Sequence, residues 1–291
     1  MNAEKNPTRL SNFAWPTLAI TGGLGILGFL RRRFQHSRVF LPDRFPDGVW
    51  QPSSFGLHAE DVWFEARDGV RLHGWWVPHK RARCTVLYCH GNTGSIAGRI
   101  GVFKHLAKLR TNLLAFDYRG YGRSEGVPSE KGLYLDVRAA FDLLVDELRE
   151  NPARIILFGH SLGGAVAVDC AMDRPMAGLI VQSSFTHIRD AAKSMFPTLP
   201  IHLAATRQFR SVDKVGGLSM PKLFIHGQAD ETVPYALGRA LYEAAAEPKE
   251  LYSVPRAGHT DVHRHGGMTY MRKLWVFCSR CLKRARKQGP S

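Results

Sequence analysis

The sequence predicts an α/β protein: a mostly parallel, eight-stranded sheet with helices on both faces and an antiparallel hairpin at one edge. Three observations predict it. From residue 84 onward, strand-length apolar runs alternate with segments of helical spacing, the pattern of parallel strands joined by crossover helices. Ahead of them, residues 61–66 and 70–78 read as two strands joined by the turn Arg67-Asp68-Gly69, a hairpin signal. Finally, Phe158-Gly159-His160-Ser161-Leu162-Gly163-Gly164 lies between an apolar run of strand length and the small residues 165–171, which suit a packed helix.

The elements follow in order. Residues 84–89 form a buried strand and 96–109 a helix. Residues 112–117 form a strand, 129–149 a helix with apolar residues at helical spacing, and 155–158 a strand whose helix runs to about 173. Three more strands follow at 178–182, 222–225 and 250–254, with helices at 235–246 and 262–281. There are no internal repeats.

With 291 residues the chain holds one large α/β domain and a short appendage. Its 44% hydrophobic and 22% charged residues are those of a folded protein with a sizeable core. A formal charge of +15 needs a cause. A basic surface attracts phosphate whatever the fold, but no helix-turn-helix, zinc-finger or aromatic RNA-binding pattern accompanies the charge. The basic residues gather after Leu30 and after Tyr270, so a membrane surface, not nucleic acid, is the expected partner. Five cysteines scattered through apolar segments argue against a disulfide framework and for a reducing compartment. Cys278 and Cys281 form a lone C-x-x-C without a second pair. They are read as buried or palmitoylated thiols, and no metal site is expected.

Residues 1–12 are polar and expected to be disordered. Residues 13–30 carry no charge over 18 positions and are followed at once by Arg31-Arg32-Arg33. A bilayer span needs ~20 residues, so this run is read as a transmembrane helix. The larger charge after the run, and the lack of an A-x-A site, speak against a cleaved signal peptide. Gly23, Gly25 and Gly28 spell a formal G-x-G-x-x-G, but Trp15 and Pro16 crowd the strand that a dinucleotide site requires, and the arginines fill its crossover helix. Lys5 and Arg9 flank one side of the run; Arg31, Arg32, Arg33, Arg38 and Arg44 flank the other. The positive-inside rule then gives a single-pass protein whose large C-terminal part faces the cytoplasm. Residues 31–58 form a basic juxtamembrane linker, 59–282 the folded domain and 283–291 a basic tail. Residues 272–287 hold seven Lys or Arg, read either as a solvated helix face or as a contact with anionic lipid.

Strand, Gly-x-Ser-x-Gly, helix is the context that exposes a serine hydroxyl on a strained turn. Gly159 and Gly163 leave room where a Cβ would clash. A serine hydroxyl is a weak nucleophile and needs a base, which in turn needs an orienting acid. On this architecture they come in the order Ser, Asp or Glu, His, each just after a strand. Asp230 lies in a loop past residues 222–225, and His259 lies past the last strand with Gly258 before it. Ser161, Asp230 and His259 satisfy order and place. His226, His263 and His265 are rival bases; Glu231 and Asp261 are rival acids. The amide of Leu162 opens the helix after Ser161 and is one oxyanion donor. The loop His90-Gly91-Asn92-Thr93-Gly94 should supply the other, at Asn92.

The segments CHGNTG (89–94), FDYRGYGRSEGVPSEKGLYLDV (116–137), FGHSLGGAVAV (158–168), HGQADETVP (226–234) and AGHTDV (257–262) together resemble the α/β-hydrolase superfamily. They are most similar to its membrane-anchored, bud-emergence-like branch, related to serine aminopeptidase-type and acyl-protein thioesterase-type hydrolases. The resemblance covers the chain from Val62 to the final helix. It implies the α/β-hydrolase fold, a Ser161-Asp230-His259 triad and no cofactor. It also implies a structural role for the loop 117–124. The depalmitoylating relatives carry an N-terminal cysteine cluster, whereas this chain has no cysteine before Cys84.

The expected activity is that of a membrane-anchored serine hydrolase. Its substrate is an ester or thioester with a hydrophobic acyl group, on a small lipid-like molecule or an acylated protein. A serine aminopeptidase-like peptidase and a catalytically silent membrane-tethered scaffold are the alternatives. Residues 184–215 are expected to form a small lid. Phe185, Phe196 and Ile201 within it either line an acyl groove or make plain core contacts.

Overall fold

The structure, a computed structural model, describes residues 40–195 and 208–288. Its sheet contains β2 (Glu60–Glu65), β3 (Arg71–Val77), β4 (Cys84–Cys89), β6 (Thr111–Phe116), β7 (Ile155–His160), β8 (Gly178–Gln182), β9 (Lys222–Gly227) and β10 (Lys249–Val254). These eight strands lie in the order β10-β9-β8-β7-β4-β6-β3-β2. The strands β4 and β6 to β10 run parallel, β3 is antiparallel to β6, and β2 pairs antiparallel with β3. The sheet is thus mixed, with the hairpin at one edge. After β4 the chain goes first to β6 on one side and then to β7 on the other. The ends of β4 and β7 therefore flank the point where strand order reverses, the place where α/β sheets bind ligands.

Every residue of β4 and β7 is buried, as expected for strands covered on both faces. Alternation sorts their side chains between two cores. Leu87, Cys89 and Leu157 pack with α2 (Glu130–Asp142) and α3 (Leu162–Cys170). Val86, Tyr88, Ile156 and Phe158 pack with α1 (Ile100–Ala107) and α7 (Val262–Gln288).

Helix boundaries differ from the sequence reading where local geometry intervenes. Residues 96–99 form a 3-10 turn before α1. The Ser129 hydroxyl caps α2 by accepting from Gly132 N at 3.1 Å. Past residue 142 that helix loosens into a π-helical turn, Leu143–Glu147. The remaining helices are α4 (Ile188–Met195), α5 (Val212–Val215) and α6 (Tyr235–Ala244). In α7, Gly267 takes a non-helical φ of 46° and kinks the run.

Two domain edges also move. The stretch 31–58 reads as linker, yet from Phe40 onward it packs on the domain. Phe40 and Leu57 are buried, and Trp50 stands edge-on to Trp75 at 5.8 Å. The short strand β1 (Leu41–Pro42) pairs with β5 (Thr93–Gly94). Single apolar anchors at irregular spacing leave no periodic signal. At the other end α7 runs on to Gln288, so residues 283–288 of the expected tail are helical. The anchor at 13–30, the middle of the expected lid (196–207) and residues 289–291 lie outside the described residues.

The loop after β6 is stapled by Arg119. Its guanidinium donates to both Asp68 carboxylate oxygens at 2.7 and 2.9 Å and to Asp136 Oδ1 at 2.7 and 2.9 Å. Asp136 is fully buried. Burial pushes its carboxyl up, to about 6, against the opposing pull of the Arg119 hydrogen bonds. Removing one partner of a buried ion pair leaves the other charge uncompensated. Arg119→Met is therefore expected to lower stability by about 3–5 kcal/mol, read as a fall in the urea midpoint at neutral pH.

Candidate active site

Ser161 follows the carboxyl end of β7 directly, with φ 55° and ψ −119°. A non-glycine residue held at positive φ is strained and persists only where its surroundings impose it. Here the backbone is tied on both sides. Ser161 N donates to Gln182 O at 2.9 Å, and Ser184 Oγ donates to Ser161 O at 2.8 Å. A Cβ at Gly159 would overlap the backbone of Gly163, and one at Gly163 would overlap Cys89. Only glycine at both positions lets the turn close this tightly.

His259 lies in the loop after β10, and Asp230 lies in the loop after β9. His259 Nε2 is 3.0 Å from Ser161 Oγ, and His259 Nδ1 is 2.8 Å from Asp230 Oδ2. The other carboxylate oxygen of Asp230 accepts from Thr232 N and Val233 N at 3.0 and 2.8 Å. Burial pushes the Asp230 carboxyl up, but the hydrogen bonds from His226 and His259, the His259 charge and the Val233 amide outweigh it. They hold the group well below the usual carboxylate range. Asp230 is therefore a fixed negative charge against the imidazole.

The loop 90–94 crosses the same point. A Cβ at Gly91 would stand 3.4 Å from Ser161 Cβ, so the His90–Asn92 backbone packs on the Ser161 side chain. Buried His90 donates through Nδ1 to Gly91 O at 2.7 Å. Because the peptide is planar and trans, holding Gly91 O also sets the direction of the Asn92 N–H. The Asn92 carbonyl accepts from Tyr121 Oη at 2.8 Å and from Leu41 N at 2.9 Å. Leu162 is the first residue of α3, where helix amides lack intrahelical acceptors and favour negative charge.

The rivals take other places. His226 is not at the nucleophile: its Nε2 donates to Val233 O at 2.8 Å and lies 3.3 Å from Asp230 Oδ2. It is a second imidazole on the acid, and a Cβ at Gly238 would collide with its ring. Asp261 accepts from Gly258 N at 2.7 Å and pairs with His265, which braces the His259 loop. Glu231 is exposed, and His263 packs on His105 at 5.3 Å between ring centroids. Sequence reasoning passed over His160, inside the serine motif itself. Its Nε2 donates to the His259 carbonyl at 3.1 Å. Burial, and then the charge of His259, lower its pKa to about 3. A neutral, buried His160 thus ties the His259 loop to the strand that leads into Ser161. Its only visible signal was adjacency to Ser161.

Of the residues expected to meet substrate, Phe185 is buried in the main apolar core. Phe196 and Ile201 lie outside the described residues. Among the described residues no group of three or more His, Cys, Asp or Glu could hold a metal, and Cys278 and Cys281 are buried free thiols.

Known proteins share this arrangement of chain. A family model described as serine aminopeptidase, S33, matches residues 80–210. An uncharacterised protein of Mycobacterium tuberculosis is 38% identical over 252 residues, covering 85% of this chain and 89% of its own. Protein bem46 of Schizosaccharomyces pombe is 32% identical over 260 residues, covering 84% of this chain and 85% of its own. The α/β-hydrolase domain-containing protein WAV2 of Arabidopsis thaliana is 32% identical and covers 92% and 95%. Among solved structures, an esterase of Pyrococcus furiosus superposes with a TM-score of 0.69 at 26% identity, covering 83% of this chain and 99% of its own. With relatives this similar over most of its length, the chain belongs to the α/β-hydrolase superfamily, in the bem46-like branch, and is a hydrolase.

Proposed function

We propose that the protein is a serine hydrolase that cleaves an ester or thioester with a hydrophobic acyl group through an acyl-enzyme. One observation carries this reading: an unbroken hydrogen-bond chain from Ser161 through His259 to Asp230, built on a strained serine. Ser161 Oγ attacks the acyl carbon while His259 Nε2 takes the hydroxyl proton. Asp230 keeps the imidazole proton on Nδ1 and stabilises the charge that develops. The Leu162 and Asn92 amides receive the oxyanion. His259 then gives its proton to the departing alcohol or thiol. Water repeats the sequence on the acyl-serine and releases the acid.

The preference for a hydrophobic acyl group rests on the apolar sequence 196–203, which lies outside the described residues, and on the likeness to an esterase. The reading also tethers the protein to a membrane through residues 13–30, with the catalytic domain in the cytoplasm. Its support is the uncharged run and the arginines that follow it. Among the described residues no helix is long and apolar enough to cross a membrane, and residues 13–30 lie outside them. The first described residues, Phe40 and Leu41, lie beside the Asn92 loop, so such a tether would reach the domain on the side of Ser161.

The test is hydrolysis of p-nitrophenyl esters and acyl thioesters from short to long chains. Turnover should rise with acyl length and depend on Ser161. The serine aminopeptidase model supplies a second reading, in which a carboxylate beside Ser161 would hold the substrate's amine. Faster cleavage of aminoacyl p-nitroanilides than of every acyl ester would replace the first reading with this one.

A further inference from the structure

A cavity lies at the opposite end of the sheet from Ser161. It has a volume of ≈ 830 Å³ and is formed by the segments that lead into β4, β7, β8 and β9 and by the end of α7. Ser161 follows the last residue of β7, whereas Asn151 and Arg154 precede its first. Six strand residues at ~3.3 Å each put about 20 Å between the two places. The cavity is therefore separate from the catalytic centre.

Its walls are basic. Arg83, Arg154, Arg284 and Arg286 all line it, with Asn151 and Ser219 as neutral polar neighbours, and no Asp or Glu is among the lining residues. Among the described residues none of these four arginines makes an ion pair, whereas Arg119, Arg138, Arg174, Arg239 and Arg280 each meet a carboxylate. Two of the four are also held in place by uncharged partners. Arg154 donates through Nε to Arg83 O at 3.0 Å and through Nη2 to Ala82 O at 2.9 Å. The Arg83 guanidinium lies over the Trp275 ring, 4.9 Å from its centroid. Carbonyls and an indole orient a guanidinium without cancelling its charge. The nearby acids Glu150, which accepts from Thr85 and Asn112, and Glu247, which accepts from Lys249 N, keep their charge, but neither lines the cavity.

The excess of charge reaches Lys222, whose ammonium donates to Leu218 O and to the carbonyl of Met220 in the cavity wall. Its pKa falls to about 8, through burial first and then through the charges of Arg284 and Lys249, against the opposing pull of Glu247. Like charges gathered this way repel, and a multiply charged anion relieves them. Guanidinium forks match the oxygens of phosphate, which carries up to two charges and three acceptors. A cavity of this size lies within the range of small-molecule sites.

From this we infer that the cavity at the amino-terminal ends of β4, β7, β8 and β9 binds a phosphate-bearing ligand through Arg83, Arg154, Arg284 and Arg286. The inference stands apart from the hydrolase reading, since neither Ser161 nor its partners takes part.

The test uses the full chain in a neutral detergent, titrated calorimetrically with pyrophosphate and, in a second arm, with micelles carrying phosphatidic acid. Pyrophosphate should bind at one site per chain. Arg284→Glu with Arg286→Glu should weaken it at least tenfold, while Lys104→Glu with Lys131→Glu, an equal charge change on exposed residues elsewhere, should leave it within twofold. Binding of phosphatidic acid but not pyrophosphate, with the same response to the variants, assigns the site to a lipid headgroup. If the charge-reversed protein melts below the parent, Arg284→Gln with Arg286→Gln takes its place. No binding in either arm, or equal loss in the Lys104 and Lys131 variant, overturns the inference.

Discussion

Replacing Ser161 with alanine is expected to abolish covalent labelling by a fluorophosphonate and to lower kcat for acyl-ester hydrolysis by about 10⁶-fold. In the parent protein Ser161 Oγ should displace fluoride from phosphorus, with His259 taking the hydroxyl proton at Nε2 from 3.0 Å away. Alanine removes the only atom that can form that bond while leaving the Gln182 and Ser184 contacts to the backbone of residue 161. The fold should therefore survive, and the variant's thermal transition should stay within a few degrees of the parent's. Undiminished labelling of a folded Ser161→Ala protein would place the nucleophile elsewhere and end the proposed mechanism.

The second large effect is expected from Asp230→Asn, a change of one atom. Asp230 Oδ1 accepts from two backbone amides and Oδ2 accepts from His259 Nδ1. Asparagine has only one acceptor oxygen. If that oxygen keeps the amides of Thr232 and Val233, the side-chain NH₂ faces His259. The imidazole must then accept at Nδ1 and carry its proton on Nε2, toward Ser161, where it cannot act as a base. The expected loss in kcat/KM is about 10⁴-fold, with the rate of fluorophosphonate labelling falling in parallel. Retention of a tenth of the activity would show that Asp230 does not set the tautomer. Because His226, His259 and the Val233 amide hold the Asp230 carboxyl below the ordinary range, the acid limb of the parent's pH–rate profile should not contain this group.

The eight strands, their helices and the edge hairpin were readable in the chain because buried parallel strands and amphipathic helices leave distinct periodic marks. Ser161, Asp230 and His259 were readable for a related reason. Each follows a strand, and a strand end is a position that local sequence defines. Contacts made by irregular backbone were not readable. The segment from Phe40 to Leu57 looked like a linker, since its hold on the domain comes from isolated residues and a two-residue pairing with Thr93–Gly94. The π-helical turn after Asp142 and the kink at Gly267 were equally silent.

The same division runs through the site. Local sequence marks the strained turn at Ser161, because Gly159 must clear the backbone of Gly163 four positions on, while Gly163 makes room for Cys89 of a neighbouring strand. Which imidazole meets the serine and which meets only the acid was decided by the tertiary structure. His226 lies at the end of β9 and His259 in the loop after β10, and both come within reach of Asp230, yet 33 positions of chain separate them. Only the stacking of β9 beside β10 in register puts His259 above Ser161 and turns His226 toward Val233. The four arginines of the cavity at the other end of the sheet are a further case. They lie at positions 83, 154, 284 and 286, and a sequence shows the sum of such charges but not their convergence. The sheet brings the starts of its parallel strands to one end, and α7 returns along it to add the last two.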